Sequence, residues 1–298
     1  MSERARILVA YAVLYVVWGS TYLAMKFAVQ TLPPFSTAAL RFVFSGAFLV
    51  ALALWQGRKQ GDAQRVPLTR RHVVTAAVTG FFLLVGANAI VTVSMKTVPS
   101  GVGALILATT PLFMALLSKD FGKKTWAGIV LGLCGIAVLM NPFGDDVDVD
   151  SVPARGVLLL TWAAFSWALG SLLPRMFPQH LNAHPASALH TGLQMLVGAV
   201  VLGVAAAVTG EVIDVEHTSA ASWGGVLYLA VFGSVVGFSS YGYLLKVEPP
   251  SRVASYAYVN PVVAVVVGAV VGGEAVGANV VVAGAFIVGA VVLLHLRR

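Results

Sequence analysis

The chain has 298 residues, 58% of them apolar and 10% charged, with a mean hydropathy of +0.88 and a net charge of +7. Soluble domains carry about 25% charged residues, so an ordinary soluble enzyme is excluded and a polytopic membrane protein remains. The single cysteine, Cys134, excludes an intrachain disulfide framework and a Cys-ligated metal site.

A helix needs roughly 20 apolar residues to cross a hydrocarbon core of about 30 Å, because backbone polar groups must be satisfied inside it. Ten such stretches follow one another, near 7–28, 35–55, 73–95, 99–118, 125–141, 156–177, 185–209, 222–245, 250–272 and 277–296. The first follows Arg4 and Arg6 and has no small-residue cleavage site, so an uncleaved signal anchor is expected. Fifteen of the nineteen Lys and Arg residues fall in the alternate segments that include both termini, which predicts both termini on the cytoplasmic side. The positive balance therefore records topology. It indicates the lipid bilayer as partner and not a nucleic acid.

Lys96-Thr-Val-Pro99 followed by Pro111 matches Lys246-Val-Glu-Pro249 followed by Pro261 at a shift of 150 residues. A shift of 149 pairs Trp18 with Trp167, Lys26 with Arg175 and Arg41 with His190. Each unit has five spans, an odd number, so the second must cross the membrane in the opposite sense. The fold expected is an all-α polytopic membrane protein, ten transmembrane helices in two inverted five-helix repeats, 7–141 and 156–296. In such architectures substrate binds near the midplane between the repeats, and the halves rock about it.

Trp18-Gly19-Ser20, Arg41-Phe42, the Lys-x-x-Pro to Pro stretches 96–111 and 246–261, and Gly273-Glu274 carry a resemblance. The chain resembles EamA-type members of the drug/metabolite transporter superfamily over about 7–140 and 156–295, and looks most similar to YddG-like amino-acid exporters. The resemblance implies export of amino acids, neutral and aromatic, or related metabolites across a bacterial inner membrane by alternating access. One departure is Lys119-Asp120, which stands where the second repeat has Gly273-Glu274.

Tyr11, Tyr15, Trp18 and Tyr22 recur at spacings of 4, 3 and 4, one face of the first span. Rings with an apolar face and a polar edge suit a zwitterion that must bind and leave; interfacial anchoring and helix packing are the competing readings. Trp162 and Trp167 put indoles in the sixth span, and Phe238 and Tyr241 share a stripe in the eighth with Ser234. Asn88 in hydrocarbon needs partners, as substrate contact or interhelical bond. Thr110 precedes Pro111, and Tyr256, Tyr258 and Asn260 precede Pro261; each proline removes one helical bond and can bend a gate or only a packing surface. The substrate-binding set expected from these patterns is Tyr15, Trp18, Tyr22, Asn88, Thr110, Trp162, Trp167, Phe238, Tyr241, Tyr258 and Asn260. Arg41 and His190, related by the repeat, are functional candidates as ionisable groups within spans. The preferred reading has Arg41 binding carbonyls at a neighbouring helix end, so both are assigned structural or gating roles with Pro111 and Pro261.

All twelve carboxylates lie outside the spans or at their ends. A proton-coupled cation exporter typically needs a buried one, so passive or weakly proton-linked movement of neutral zwitterions is expected. A multidrug or quaternary-cation exporter of the same superfamily is the alternative within transport. An intramembrane enzyme or a scaffold is the alternative outside it. No metal, no cofactor and no enzyme activity are expected, and the working unit is a monomer or homodimer.

Overall fold

Apolar runs separated by short polar connections fold as helices in the computed structural model, which describes residues 2–59, 70–94, 106–140, 154–176, 188–272 and 278–295. In chain order the helices are α1 (Glu3–Ala28), α2 (Pro34–Lys59), α3 (70–94), α4 (Thr110–Leu117), α5 (Lys123–Met140), α6 (Ala154–Met176), α7 (Ala188–Val208), α8 (Ala220–Val247), α9 (Pro250–Val253, then Tyr256–Gly272) and α10 (Ala278–His295). Among the described residues, five helices are long and apolar enough to cross a membrane: α1, α2, α6, α7 and α8. Several helices outrun the apolar stretches at one end, α1 starting at Glu3 and α2 running to Lys59. Helical hydrogen bonding continues past the hydrocarbon, which is what apolar counting measures. Lys96, Pro99, Gly273 and Glu274 lie outside the described residues.

The inverted repeat is written into the packing. α2 lies along its own counterpart α7, and α5 along its counterpart α10. The other contacts come in mirrored pairs: α1 with α9 and α6 with α4, α1 with α8 and α6 with α3, α2 with α8 and α7 with α3. Gly128 and Gly132 of α5 let Leu294 of α10 and the Tyr258 ring of α9 approach closely, so this small-residue spacing serves packing within one chain.

Two local distortions are also repeated. The middle of α3 (Phe81–Ala89) and the middle of α8 (Leu229–Val236) are π-helical, 148 residues apart at their starts. A π-turn is wider than an α-turn and is frequent at functional sites. Both α9 and the segment leading into α4 are broken, at residues 254–255 and 108–109. Pro111 has no N–H for Leu107 O, and the Thr110 hydroxyl donates to that carbonyl instead at 2.7 Å.

The two ends of the bundle are tied differently. At the face holding the N-terminus, Tyr11 packs edge-on against His295 and Arg252 Nε donates to Leu294 O at 2.8 Å. At the opposite face Glu211, just past α7, accepts from the Phe35 and Ser36 amides and the Ser36 hydroxyl at 3.1, 2.7 and 2.9 Å. A carboxylate there satisfies orphan N–H groups and opposes the positive end of the α2 dipole. Glu211→Ala is expected to cost about 1 kcal/mol, read as a lower thermal midpoint in detergent, with Glu211→Gln losing less because it keeps one acceptor.

Candidate functional site

Trp18 is the hub of a five-ring cluster. Its indole meets Tyr256 at a centroid distance of 4.9 Å, Tyr241 at 5.1 Å, and Trp167 and Phe238 at 5.5 Å each, mostly edge-on. Edge-to-face pairs at this range contribute about 0.5–1.5 kcal/mol each beyond area burial. The polar edges are tied: Trp18 Nε1 donates to Gly233 O at 3.0 Å, Trp167 Nε1 donates to Tyr241 Oη at 3.1 Å, and Tyr241 and Ser171 hydroxyls share a bond of 2.6 Å. One turn toward the terminal face, the Tyr15 and Ser255 hydroxyls share a 2.6 Å bond at the break in α9.

The bond from Trp18 to Gly233 has a counterpart in the other half. Ser166 Oγ, next to Trp167, donates to Phe82 O at 2.8 Å, in the first π-segment. Gly237 leaves space for the Trp18 indole and Gly86 for the Ser166 hydroxyl, so an N–H or O–H of α1 or α6 reaches a carbonyl of a widened helix. The structural counterpart of Trp18 is thus Ser166, at a shift of 148 instead of 149, and the two indoles meet across the pseudo-twofold.

Two cavities flank the rings. A vestibule of about 1380 Å³ at the terminal face is lined by the turn Ser118–Thr125, the junction of α8 and α9, Gln194, and Phe238 and Tyr241. Deeper in the bundle lies a cavity of about 170 Å³, lined by both repeats: Trp18 and Arg41, Asn88 and Thr110 from the first, Trp167, Phe238, Tyr256 and Asn260 from the second. Among the described residues lining it there is no carboxylate. Phe238 lines both spaces, and its cluster stands between them.

Of the residues expected from sequence, the structure brings together Trp18, Asn88, Thr110, Trp167, Phe238, Tyr241 and Asn260, with Tyr15 just below them. Pro261 lines the inner cavity, while Pro111 is buried beside it in α4. With its amide nitrogen donating to Tyr256 O at 3.1 Å and Tyr15 O at 3.3 Å, Asn260 ties α9 to α1. Two of the expected substrate-binding residues lie elsewhere. Tyr258 is fully buried away from the cavities, its ring on Gly132 and its hydroxyl 3.5 Å from Ile129 O. Trp162 is 46% exposed on the outer surface of α6, beside Phe165. The Tyr22 side chain lies outside what the structure describes.

Tyr256 takes the place expected for Tyr258, because the break at 254–255 resets the helical phase. Ser166, Gly86 and Gly237 are absent from the expected set; the interval of 151 residues between the two glycines, within a few residues of the repeat shift, is the signal that marks them. Arg41 is buried on α2, but its hydrogen-bond partner among the described residues is not a helix-end carbonyl: Nε donates to Ser234 Oγ at 2.6 Å. Its neighbour Ser45 donates to Ala230 O at 3.0 Å, so α2 also binds the second π-segment. His190 is buried on α7, next to Thr191 of the vestibule wall.

This duplicated architecture matches the model of the EamA-like transporter family over residues 6–141 and 154–296. The chain is 37% identical over 263 residues to the uncharacterized inner membrane transporter YedA of Escherichia coli (strain K12), covering 86% of this chain and 79% of that one. It is 28% identical over 272 residues to a probable amino-acid metabolite efflux pump of the same organism, covering 85% and 83%. A solved crystal structure, 22% identical, superposes with a TM-score of 0.77 over 99% of this chain and 98% of the other, which shows a shared fold. The chain belongs to the EamA-like transporter family of the drug/metabolite transporter superfamily, membrane transporters and not enzymes.

Proposed function

We propose that the protein exports neutral and aromatic amino acids, or closely related metabolites, from the bacterial cytoplasm by alternating access, with both termini cytoplasmic and the two five-helix units, 7–141 and 156–296, as its moving parts. The observation that carries this reading is the ring cluster, contributed by both repeats, between a wide vestibule and a small inner cavity. Separating the repeats would part Trp18 from Trp167, Tyr241 and Phe238 and join the two spaces. Rings whose edges hydrogen-bond and whose faces are apolar present a smooth, weakly sticky wall to a zwitterion. Pro261 removes an N–H from Ala257 O on the cavity wall, leaving a carbonyl suited to an ammonium group. The inner cavity resembles in size the ~150 Å³ spaces that hold benzene, well below the 300–1,000 Å³ typical of drug-sized ligands, which favours amino acids over multidrug cargo. The relatives named as amino-acid metabolite efflux pumps support the same class.

The test is counterflow in proteoliposomes. Labelled phenylalanine or leucine is expected to accumulate against preloaded unlabelled substrate, at the same rate with and without a pH gradient, because no carboxylate lines the inner cavity among the described residues. Failure of every neutral amino acid to exchange would overturn the cargo. Strict dependence on the gradient would overturn the passive mode.

A further inference from the structure

Arg41 is 5% exposed and sits seven residues into α2, about 10 Å from its start at ~1.5 Å per residue, on the wall of the inner cavity. A buried guanidinium is costly unless paired. The carboxylates that the structure describes in contact are engaged at the faces: Asp120 with Ser251, Glu248 with Arg252, Glu211 on the α2 N-terminus and Asp214 with His217. None of them reaches Arg41. Its one hydrogen bond among the described residues runs from Nε to Ser234 Oγ at 2.6 Å, and the Nη end lies over Gly233, where a Cβ would meet Nη2 at 3.1 Å. The missing side chain at 233 thus lets the guanidinium pack closely on the α8 backbone, its Nε corner fixed by Ser234 and its Cζ 5.0 Å from the centroid of the Phe42 ring. Among the described residues the two Nη groups carry no hydrogen bond although Arg41 lines the inner cavity, and their parallel N–H bonds match a carboxylate.

The path to the cavity carries the same sign. Lys119, Lys123, Lys124, Lys246 and Arg252 line the vestibule, against Asp120 and Glu248. A cleft with excess positive charge raises the local concentration of anions. Around Arg41 the remaining wall is made of rings, aliphatic side chains, the hydroxyls of Thr21 and Thr110 and the amides of Asn88 and Asn260, which accept an apolar body and offer an ammonium ring faces and neutral oxygens but no carboxylate among the described residues.

We propose that Arg41 is the carboxylate seat of the inner cavity, so that the cargo is a small metabolite with one carboxylate and an apolar body, and amines lacking the carboxylate are rejected. This deepens the export reading above and rests on the same cavity. The experiment uses matched probes: phenylalanine, 3-phenylpropionate, phenylalanine amide and phenethylamine, competing for counterflow in proteoliposomes of wild type, Arg41→Lys and Arg41→Gln. Wild type is expected to respond to the two carboxylates at least tenfold more strongly than to the amide and the amine. Arg41→Gln is expected to lose that tenfold preference, its response to the two carboxylates falling toward that to the amide and the amine, and Arg41→Lys to recover part of it. Equal competition by all four probes in wild type would overturn the seat and leave amino-acid export standing. A uniform loss for all probes in Arg41→Gln is the mark of a structural role and would also overturn it. If no amino acid exchanges, thermal stabilisation by 3-phenylpropionate in wild type but not in Arg41→Gln would sustain the seat while export fails; no stabilisation in either overturns both. Should Arg41→Gln not fold, the wild-type comparison decides alone.

Discussion

Trp18→Ala is expected to lower counterflow at least tenfold at unchanged membrane expression. The indole is the one ring that touches all four others, Tyr256, Tyr241, Trp167 and Phe238, and it alone bonds the π-segment of α8 through Gly233 O. Its removal opens a void between the vestibule and the inner cavity, so neither repeat can close on the other. Tenfold corresponds to about 1.4 kcal/mol, less than the four ring pairs around Trp18 contribute together. Trp18→Phe keeps an apolar ring but not the N–H donor, and should fall between wild type and alanine. Trp167→Ala is expected to lose less, because Tyr241 keeps its bond to Ser171 and Phe238 still packs on Trp18. Counterflow in reconstituted vesicles, normalised to protein, reads all three. Wild-type rates in Trp18→Ala would remove the ring cluster from the pathway.

The architecture was legible because a membrane enforces it. Uninterrupted apolar length marks a span, lysines and arginines mark a side, and the proline and basic positions of the two halves keep a nearly constant offset. The site was legible only where helical phase runs unbroken. Along α1 the 4-3 spacing from Tyr11 to Trp18 does define one face, and its members meet different partners at successive depths: Tyr11 meets His295, Tyr15 meets Ser255 and Trp18 meets the hub. Trp162 and Trp167 are five residues apart, about 140° around a helix of 3.6 residues per turn, so a single inward face cannot hold both; the spacing excludes one of the two, and the exposure of Trp162 shows which. Tyr258 could not be judged that way. The turn at 254–255 interrupts α9 just before it, and this break, like the π-segments of α3 and α8, depends on what neighbouring helices offer the freed backbone groups. Arg41 shows the same limit: its position within a span was plain, whereas its partner Ser234 comes from a helix nearly two hundred residues away in sequence.

The mirrored glycines provide the second large effect, and an asymmetric one. At Gly237 a methyl group would land on the Trp18 indole, meeting Nε1 and, at 2.8 and 3.2 Å, Cδ1 and Cε2. The indole cannot yield, since four rings and a backbone carbonyl hold it, so Gly237→Ala must break the bond to Gly233 or push α8 from α1. Overpacking of this kind costs about 1–3 kcal/mol. Gly86→Ala meets only the Ser166 hydroxyl at close range; its next neighbours, Phe81 O and Ser166 Cβ, are at an ordinary 3.5 Å. A hydroxyl relieves the clash by one rotamer change at the expense of its bond to Phe82 O, a loss of about 1 kcal/mol. Gly237→Ala is therefore expected to lower the thermal midpoint clearly and counterflow about tenfold, whereas Gly86→Ala stays within about threefold of wild type. Adding Gly237→Ala to Trp18→Ala should cost little further, because the atom it strikes is gone, and residues in direct contact are not additive. Fully additive losses in that double variant, measured as both melting and flux, would show that Gly237 acts somewhere other than on the Trp18 ring.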